Sequence, residues 1–353
     1  MNKLVIIGNG FDLAHGMNTS YKDFLLWYLN KRYGQNQSYR ENALLSFVDA
    51  NPFDSEFGSL DDFSARLKYE SIKVNYHFDF FKCLVEDFRK SNWVDIESKY
   101  YETLVDLYLS NKSVVIFSNA DIETKLLNLN TCIELLKCEL EDYLSSKFVG
   151  DPIKNTEIEH AIEVDIFKDE KFKNSCSTFF LNFNYTNTIN LYLNEYLKTG
   201  DKETIYIHGQ LKEIKNPIIF GYGDESNKYF EKIEDLNNNE YTRHLKSFSY
   251  LATSNYKKLF DLLGRGDFEV YVLGHSLGLS DRLLFNHIFE HPHFKKVQLY
   301  YYEYKKDGVV VNDFFQKTQE LSRHFKLDSK HAMRTKVVPF SESKPLTKFK
   351  PQN

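Results

Sequence analysis

Residues 1–24 read MNKLVIIGNGFDLAHGMNTSYKDF, and the four apolar residues from Leu4 to Ile7 run directly into the glycine pair Gly8 and Gly10. A short, continuous and mostly β-branched run is typical of a strand buried on both faces, as in a parallel sheet. From Thr19 onward the sequence takes helical spacing. The opening therefore predicts a strand, a glycine-rich loop and a helix.

The same alternation returns in the second half of the chain. Strand patterns lie at 177–184, 204–209, 216–221, 267–276 and 296–303, and helical patterns at 187–198, 240–263, 280–290 and 311–324. This order predicts an α/β fold with a mostly parallel, Rossmann-like sheet. In the segment from about residue 60 to residue 148, apolar residues recur at spacings of three and four, which predicts a large helical insertion. SVVIFS at 113–118 fits either a strand or a helix interior.

Composition narrows the function classes. The chain has 353 residues, 42% of them hydrophobic, and a net charge of −5, so nucleic-acid binding is not indicated by charge. No apolar run of about 18 residues and no secretory leader is found, so we expect a cytoplasmic protein without a membrane segment. The four cysteines form no CxxC pair, which favours reduced thiols.

The glycine pair after the first strand is the first candidate binding site. Glycines there let the chain turn tightly and approach a bound group, and nearby amides can donate to a phosphate. Leu13 stands where the third glycine of G-x-G-x-x-G would lie, so the pattern is not the Rossmann fingerprint and fits a plain structural turn as well. The Asp12 carboxylate suits ribose hydroxyls or an amide.

Two further segments place polar residues at predicted strand ends. Asn184 follows the strand at 177–184, and His208 precedes Gly209 at the end of the next strand. Polar side chains at such ends line the ligand crevice of open α/β sheets. The alternative for Asn184 is turn formation. A lone histidine is usually structural, but the position of His208 at a strand end before a glycine suits acid–base chemistry better.

A fourth segment, GHSLG at 274–278, overlaps the end of the strand pattern at 267–276 and matches the nucleophile pattern G-x-S-x-G. Ser276 would then need an acid and one of the downstream histidines, which are His287, His291, His293, His324 and His331. Alternatively, Gly274, His275 and Ser276 approach a phosphate or ribose, and Asp281 caps the following helix. HIFEHPH at 287–293 fits a surface helix end, and we predict no metal site.

These segments in this order resemble the bacteriophage abortive-infection AbiH family. The resemblance rests on GNGFDLAHG with TSYKDF at 8–24, WVDIE at 93–97, FNYTNT at 183–188, HG at 208–209, GYG at 221–223 and GHSLGLSD at 274–281. It covers most of the chain and implies a role in antiphage defence.

The same order is more distantly similar to sirtuin-type NAD-binding domains. That resemblance implies a cofactor loop at Gly8, Asn9, Gly10, Phe11 and Asp12, and an adenosine-side segment at Gly274, His275 and Ser276. It implies that Asn184 and His208 are catalytic. The four-cysteine zinc module of sirtuin deacylases is absent from this sequence, which argues against protein deacylation, and Asp12 replaces the loop serine.

The function hypothesis is an antiphage enzyme that binds NAD and hydrolyses its nicotinamide–ribose bond. Its domain would be a single nucleotide-binding α/β unit over 1–340, with 60–148 as the helical insertion and 341–353 as a flexible tail. A phage-derived trigger and a second copy of the chain are candidate partners. The alternatives are a non-enzymatic nucleotide-binding sensor and a serine hydrolase that uses Ser276.

Overall fold

The computed structural model describes residues 1–33, 43–48, 55–69, 71–91, 94–112, 119–147, 153–167, 177–196 and 202–348. Its centre is a five-stranded sheet in which every neighbouring pair of strands is parallel. The strands are β1 (Asn2–Ile7), β2 (Leu45–Val48), β3 (Lys73–Tyr76), β4 (Thr178–Asn182), β5 (Lys202–Tyr206), β6 (Phe268–Leu273), β7 (Phe294–Leu299), β8 (Glu303–Lys306) and β9 (Val309–Asn312). The sheet confirms the predicted α/β class.

The order β5-β4-β1-β6-β7 places β1 at the centre of the sheet. From β1 the chain adds β4 and β5 on one side and returns later to add β6 and β7 on the other. In open α/β sheets ligands bind beside the carboxyl ends of the strands at such a switch point. Ile7 pairs with Asn182 of β4 and Leu273 of β6, so the loops after these three strands begin side by side.

Helices cover the sheet and form a large region beside it. They are α1 (Asn9–Leu13), α2 (Tyr21–Tyr33), α3 (Leu60–Lys68), α4 (Asp79–Lys90), α5 (Ile96–Lys112), α6 (Asn119–Lys147), α7 (Thr156–Ala161), α8 (Asn190–Tyr196), α9 (Phe230–Glu234), α10 (Asn239–Thr242), α11 (Lys246–Ser249), α12 (Asn255–Leu263), α13 (Arg282–Phe289), α14 (Phe314–Arg323) and α15 (Lys330–Lys336). A 3₁₀ turn, Leu279–Asp281, directly precedes α13. Of the helices described, none is long and apolar enough to cross a bilayer.

The predicted helical insertion contains α3 to α6 and one strand. The helical pattern did not predict β3, which pairs with β2 in an antiparallel two-stranded sheet and does not join the central one. Lys73–Tyr76 alternates exposed and half-buried residues, a period-2 pattern that suits one covered face. SVVIFS at 113–118 lies outside the described residues. The domain boundaries stay a prediction.

Two other elements differ from expectation. Residues 216–221 are not a strand: the backbone of Ile219 donates to His208 O, and Gly221 has φ +157, so the segment folds across the end of β5. The predicted helix at 240–263 is broken into α10, α11 and α12 with a 3₁₀ turn between the last two. The extended Leu245 between α10 and α11 makes an isolated bridge to Tyr222, which interrupts the helix before Lys246.

The predicted tail begins with residues that pack on the sheet domain. Leu346 is buried, and its amide donates to the carbonyl of Tyr301 just beyond β7. Residues 349–353 lie outside the described part of the chain.

Candidate functional site

One cavity of about 1290 Å³ lies at the carboxyl ends of the central strands. Pockets for drug-sized ligands are usually about 300–1,000 Å³, so this one has room for a dinucleotide. The predicted site residues in its lining are Gly8, Asn9, Gly10, Asp12, Asn184, His208, Gly274, His275 and Ser276. The parallel sheet brings them together as its strand ends predict. Phe11 is absent from the lining, and its side chain is buried against His15 and Tyr192.

The glycines are explained by the contact between two loops. Gly274 has φ +74, and a Cβ there would lie 2.1 Å from the amide nitrogen of Phe11. A Cβ on Gly10 would lie 2.7 Å from Gly274 O, which accepts the Gly10 amide at 2.8 Å. The amide of Gly8 is also used, by Leu273 O. The amides of Gly8 and Gly10 are therefore both occupied within the protein, and the predicted role of the loop in binding a phosphate would depend on other donors.

Asp12 is buried beneath this loop with one oxygen unused. Its Oδ2 accepts from Thr186 Oγ1 at 2.6 Å, whereas its Oδ1 is buried and has no hydrogen-bond partner. Burial raises the pKa of Asp12 to about 6, opposed by the hydrogen bond from Thr186. A buried acceptor without a partner is costly. A hydroxyl or amide of a ligand in the cavity would satisfy it.

Asn184 is held by its amide nitrogen, which donates to Gly8 O at 3.0 Å. Its backbone amide donates to Asn182 Oδ1, and Asn182 in turn donates to Thr186 O, so Asn182 shapes the turn. No described residue donates to Asn184 Oδ1. That oxygen is therefore free to accept from water or a ligand.

His208 belongs to a buried charge network that extends across several elements. Its Nε2 lies 2.9 Å from Asp281 Oδ1 and 3.3 Å from the hydroxyl of Tyr250. Lys246 Nζ lies 2.8 Å from the same Asp281 oxygen and 2.8 Å from Glu97 Oε2. Lys246 is 0% exposed, and the other charged members are nearly as buried. The predicted capping role of Asp281 is wrong, because its carboxylate caps no helix and binds these side chains.

The network sets the protonation of its members. Although burial opposes ionisation, Lys246 and His208 hold the pKa of Asp281 well below its usual range. Burial and the nearby Lys246 lower the pKa of His208, whereas Asp281 and the carbonyl of Phe183 favour its proton. Burial raises the pKa of Glu97 to about 7, with Lys246 opposing. His208 is thus neutral at rest, yet it is surrounded by acceptors for a second proton.

His275 and Ser276 do not form a nucleophile pair. His275 Nδ1 accepts from the Leu277 amide at 2.9 Å, and burial lowers its pKa to about 3. Ser276 is exposed, and among the described residues no histidine hydrogen-bonds to its hydroxyl. The positive φ values in this loop fall on Gly274 and Leu277 rather than on Ser276. The geometry expected of a strained serine elbow with an adjacent base is absent from this loop.

Three of the five downstream histidines of the hydrolase alternative have partners elsewhere. His324 Nε2 binds Leu277 O, His287 binds the hydroxyl of Tyr256, and His293 pairs with Asp267. Within the described ranges no three His, Cys, Asp or Glu side chains converge to hold a metal ion.

The family model of bacteriophage abortive infection AbiH matches residues 4–303. The chain belongs to the AbiH family. The matched range includes β1 from Leu4 onward, the other four strands of the central sheet and every cavity residue predicted from the sequence. Comparison with curated proteins finds no match. The more distant resemblance to sirtuin-type domains stays a prediction.

Sequence reasoning missed three charged residues of this AbiH chain. Glu97 lies in WVDIE, a segment that contributed to the resemblance but received no role. Asp281 was assigned to a cap, and Lys246 stands in a polar helical stretch with no motif. Lys317 adds a fourth buried charge at the cavity, where its Nζ donates to His275 O at 3.0 Å. The unused WVDIE segment was the one available signal.

Proposed function

We propose that this AbiH-family protein binds NAD in the cavity and hydrolyses the bond between nicotinamide and ribose. Membership of the family supports a role in phage abortive infection. The observation that carries the ligand proposal is the convergence of GNGFD, FNYT, HG and GHSLG on one cavity at the switch point of a parallel sheet. Loss of NAD would stop phage production in the infected cell.

The cavity offers suitable partners for a dinucleotide. Asp12 Oδ1 would accept from a ribose hydroxyl or the carboxamide, and its present lack of a partner supports that role. Ser276 and Asn9 line the cavity with groups that can donate to phosphate or ribose oxygens. Binding of a phosphate would depend on these side chains, because the amides of Gly8 and Gly10 already donate to backbone carbonyls of the protein.

The reaction needs stabilisation of a cation and a place for one proton. The C–N bond to nicotinamide breaks with its electron pair on the ring nitrogen, so the ring leaves neutral and the ribose becomes oxocarbenium-like. Water then bonds to that ribose carbon and loses a proton. Asn184 Oδ1 would orient this water, and His208 would take the proton, since Asp281 and Phe183 O can both stabilise the resulting imidazolium.

Nicotinamide release from NAD by purified protein tests the proposal. His208→Ala and Asn184→Ala should each abolish turnover. Because both side chains are buried and hydrogen-bonded, each variant should also unfold at a lower temperature, and turnover is measured where urea unfolding shows the variant to be folded. Ser276→Ala should only weaken binding, because one hydroxyl contact contributes about 0.5–1.5 kcal/mol, or up to about 3 with a charged partner. NAD binding without nicotinamide release would favour the sensor alternative. Ester hydrolysis that depends on Ser276 would favour the hydrolase and overturn the proposal.

A further inference from the structure

Glu97 carries a buried carboxylate into the cavity wall from the first turn of α5. Its Oε1 accepts the amide of Gly221 at 3.0 Å, and its Oε2 binds Lys246. We infer that Glu97 supplies the negative charge that recognises a positively charged group of the ligand, namely the oxidised nicotinamide ring of the proposed dinucleotide. This inference rests on the proposed function and deepens it.

The first support is the charge balance of the network. Glu97 and Asp281 share one ammonium group, that of Lys246, which touches both at 2.8 Å. His208 and His275 are kept neutral by burial at neutral pH. Lys317, the other buried ammonium group at the cavity, is paired with Asp313 at 3.5 Å and does not compensate this pair of carboxylates. When Glu97 is ionised, one net negative charge therefore remains among these buried side chains. An uncompensated buried charge is costly, and a cationic ligand would compensate it.

The neighbours of Glu97 do not supply the missing positive charge. Asp95 adds negative potential from the same segment, but its Oδ1 is used as a cap for the amides of Glu97 and Ser98. Three buried tyrosines interact electrostatically with Glu97: Tyr21 at the start of α2, Tyr185 after β4 and Tyr250 after α11. Burial raises the pKa of each well above its usual value. These tyrosines therefore remain neutral and do not change the net charge around Glu97.

A second observation points to a ligand independently of this charge. Asp12, 1% exposed in the wall of the same cavity, has an oxygen without a partner. Asp12 thus lacks a hydrogen-bond donor, and Glu97 lacks a positive charge of its own. An oxidised nicotinamide riboside offers both, because it carries hydroxyl and amide donors beside a cationic ring.

The charge would also favour the reaction. Positive charge moves from the ring to the ribose when the C–N bond breaks, and it disappears only after water adds and the proton leaves to His208. A fixed carboxylate beside this path stabilises the cation throughout, without reorganising. WVDIE then has a function, and the helical region contributes directly to the site.

The test compares binding of NAD⁺ and NADH, which differ in ring charge and little in shape. Titration calorimetry uses the full chain carrying His208→Ala, so that NAD⁺ is not consumed. We expect NAD⁺ to bind about tenfold more tightly than NADH, which corresponds to about 1.4 kcal/mol. Adding Glu97→Gln should abolish this preference. Glu102→Gln on the same helix, where the side chain is 69% exposed, is the matched control and should retain it.

A double substitution separates charge from shape. Glu97→Gln with Lys246→Met removes one charge of each sign, leaves Asp281 as the net negative charge, and should restore the preference for NAD⁺. The His208→Ala chain with Glu97 intact gives a further readout: because Glu97 ionises around pH 7, the preference of that chain for NAD⁺ should weaken from about pH 8 to about pH 6. This readout needs no substitution at Glu97 or Lys246.

The outcomes distinguish this inference from the proposed function. A preference that survives Glu97→Gln, or one that is independent of pH, would overturn the role of Glu97 while leaving NAD binding intact. If NAD⁺ is preferred but the unsubstituted chain releases no nicotinamide, the proposed hydrolysis is overturned and the role of Glu97 in binding stands. Binding of neither dinucleotide would overturn both.

Discussion

Asp281→Asn should slow nicotinamide release far more than it disturbs the fold. The Asp281 carboxylate lies 2.9 Å from His208 Nε2 and 2.8 Å from Lys246 Nζ. An asparagine has nearly the same shape, and its carbonyl oxygen can still accept from Lys246, which keeps its contact with Glu97. The substituted chain loses the anion that supports a protonated His208.

The magnitude follows from comparison with Glu97→Gln. Each substitution removes one negative charge from the same network, so their effects through net charge are similar. Only Asp281→Asn also removes the partner of His208. Positioned proton transfer contributes about 10²- to 10⁴-fold to rate, so kcat should be at least about 10² lower in Asp281→Asn than in Glu97→Gln. Asp281 contacts both His208 and Lys246, and removing one partner of a buried ion pair costs about 3–5 kcal/mol, which sets the largest expected loss of unfolding free energy.

The assay is initial-rate nicotinamide release over a range of pH, with urea unfolding measured on the same preparations. Asp281 raises the pKa of His208 against the effects of burial and Lys246, so its loss should move the acidic limb of the kcat profile to lower pH. A purely structural role would lower the amount of folded enzyme and leave that limb in place. Equal kcat values for the two variants, or an unmoved acidic limb, would refute the positioning of His208 by Asp281.

Two further predictions concern stability. Gly274→Ala should lower the unfolding free energy by more than about 2 kcal/mol, because its Cβ would lie 2.1 Å from the Phe11 amide nitrogen and φ is +74. Gly58→Ala is the control: a Cβ there has nothing within 4 Å, so the unfolding free energy should change by no more than about 0.5 kcal/mol. Similar urea midpoints for the two variants would contradict the contact between the loops. The raised pKa of Asp12, about 6, means that the folded chain holds a proton which the unfolded chain has released between about pH 4 and 6, so stability falls as pH rises through that window. Asp12→Asn should remove this dependence on pH. The unfolding free energy of the variant, measured relative to that of the unsubstituted chain, should therefore be up to about 3 kcal/mol more favourable above pH 6 than at pH 4. A difference between the two chains that does not change with pH would contradict the raised pKa.

The position of the site could be predicted from local sequence signals. A buried strand that ends at Gly8 indicates a parallel sheet, and parallel strands place their carboxyl ends at one edge. That argument was enough to bring Gly10, Asn184, His208 and Gly274 to one cavity. It depends on the direction of strands alone and needs no knowledge of side-chain partners.

The reason for each residue was harder to predict. The glycine pair was assigned to a ligand, whereas the group that requires Gly10 and Gly274 to lack side chains is the backbone of the opposite loop. The two loops are far apart in sequence, and nothing near Gly10 indicates which backbone will approach it. Phe11 shows the same difficulty, because a residue inside a candidate binding loop can turn its ring into the core.

Charge balance is the property that local sequence reasoning could least provide. Asp281 before a helix has the ordinary appearance of a cap, and Lys246 in a polar stretch has that of a surface residue. Their pairing becomes evident only when α5, α11, the loop after β5 and the turn before α13 meet at one cavity wall. A buried lysine then requires carboxylates, and the two carboxylates of Glu97 and Asp281 exceed the one ammonium group of Lys246. The cationic ligand that we propose follows from this balance of charge in the assembled network, and no single motif of the sequence contains it.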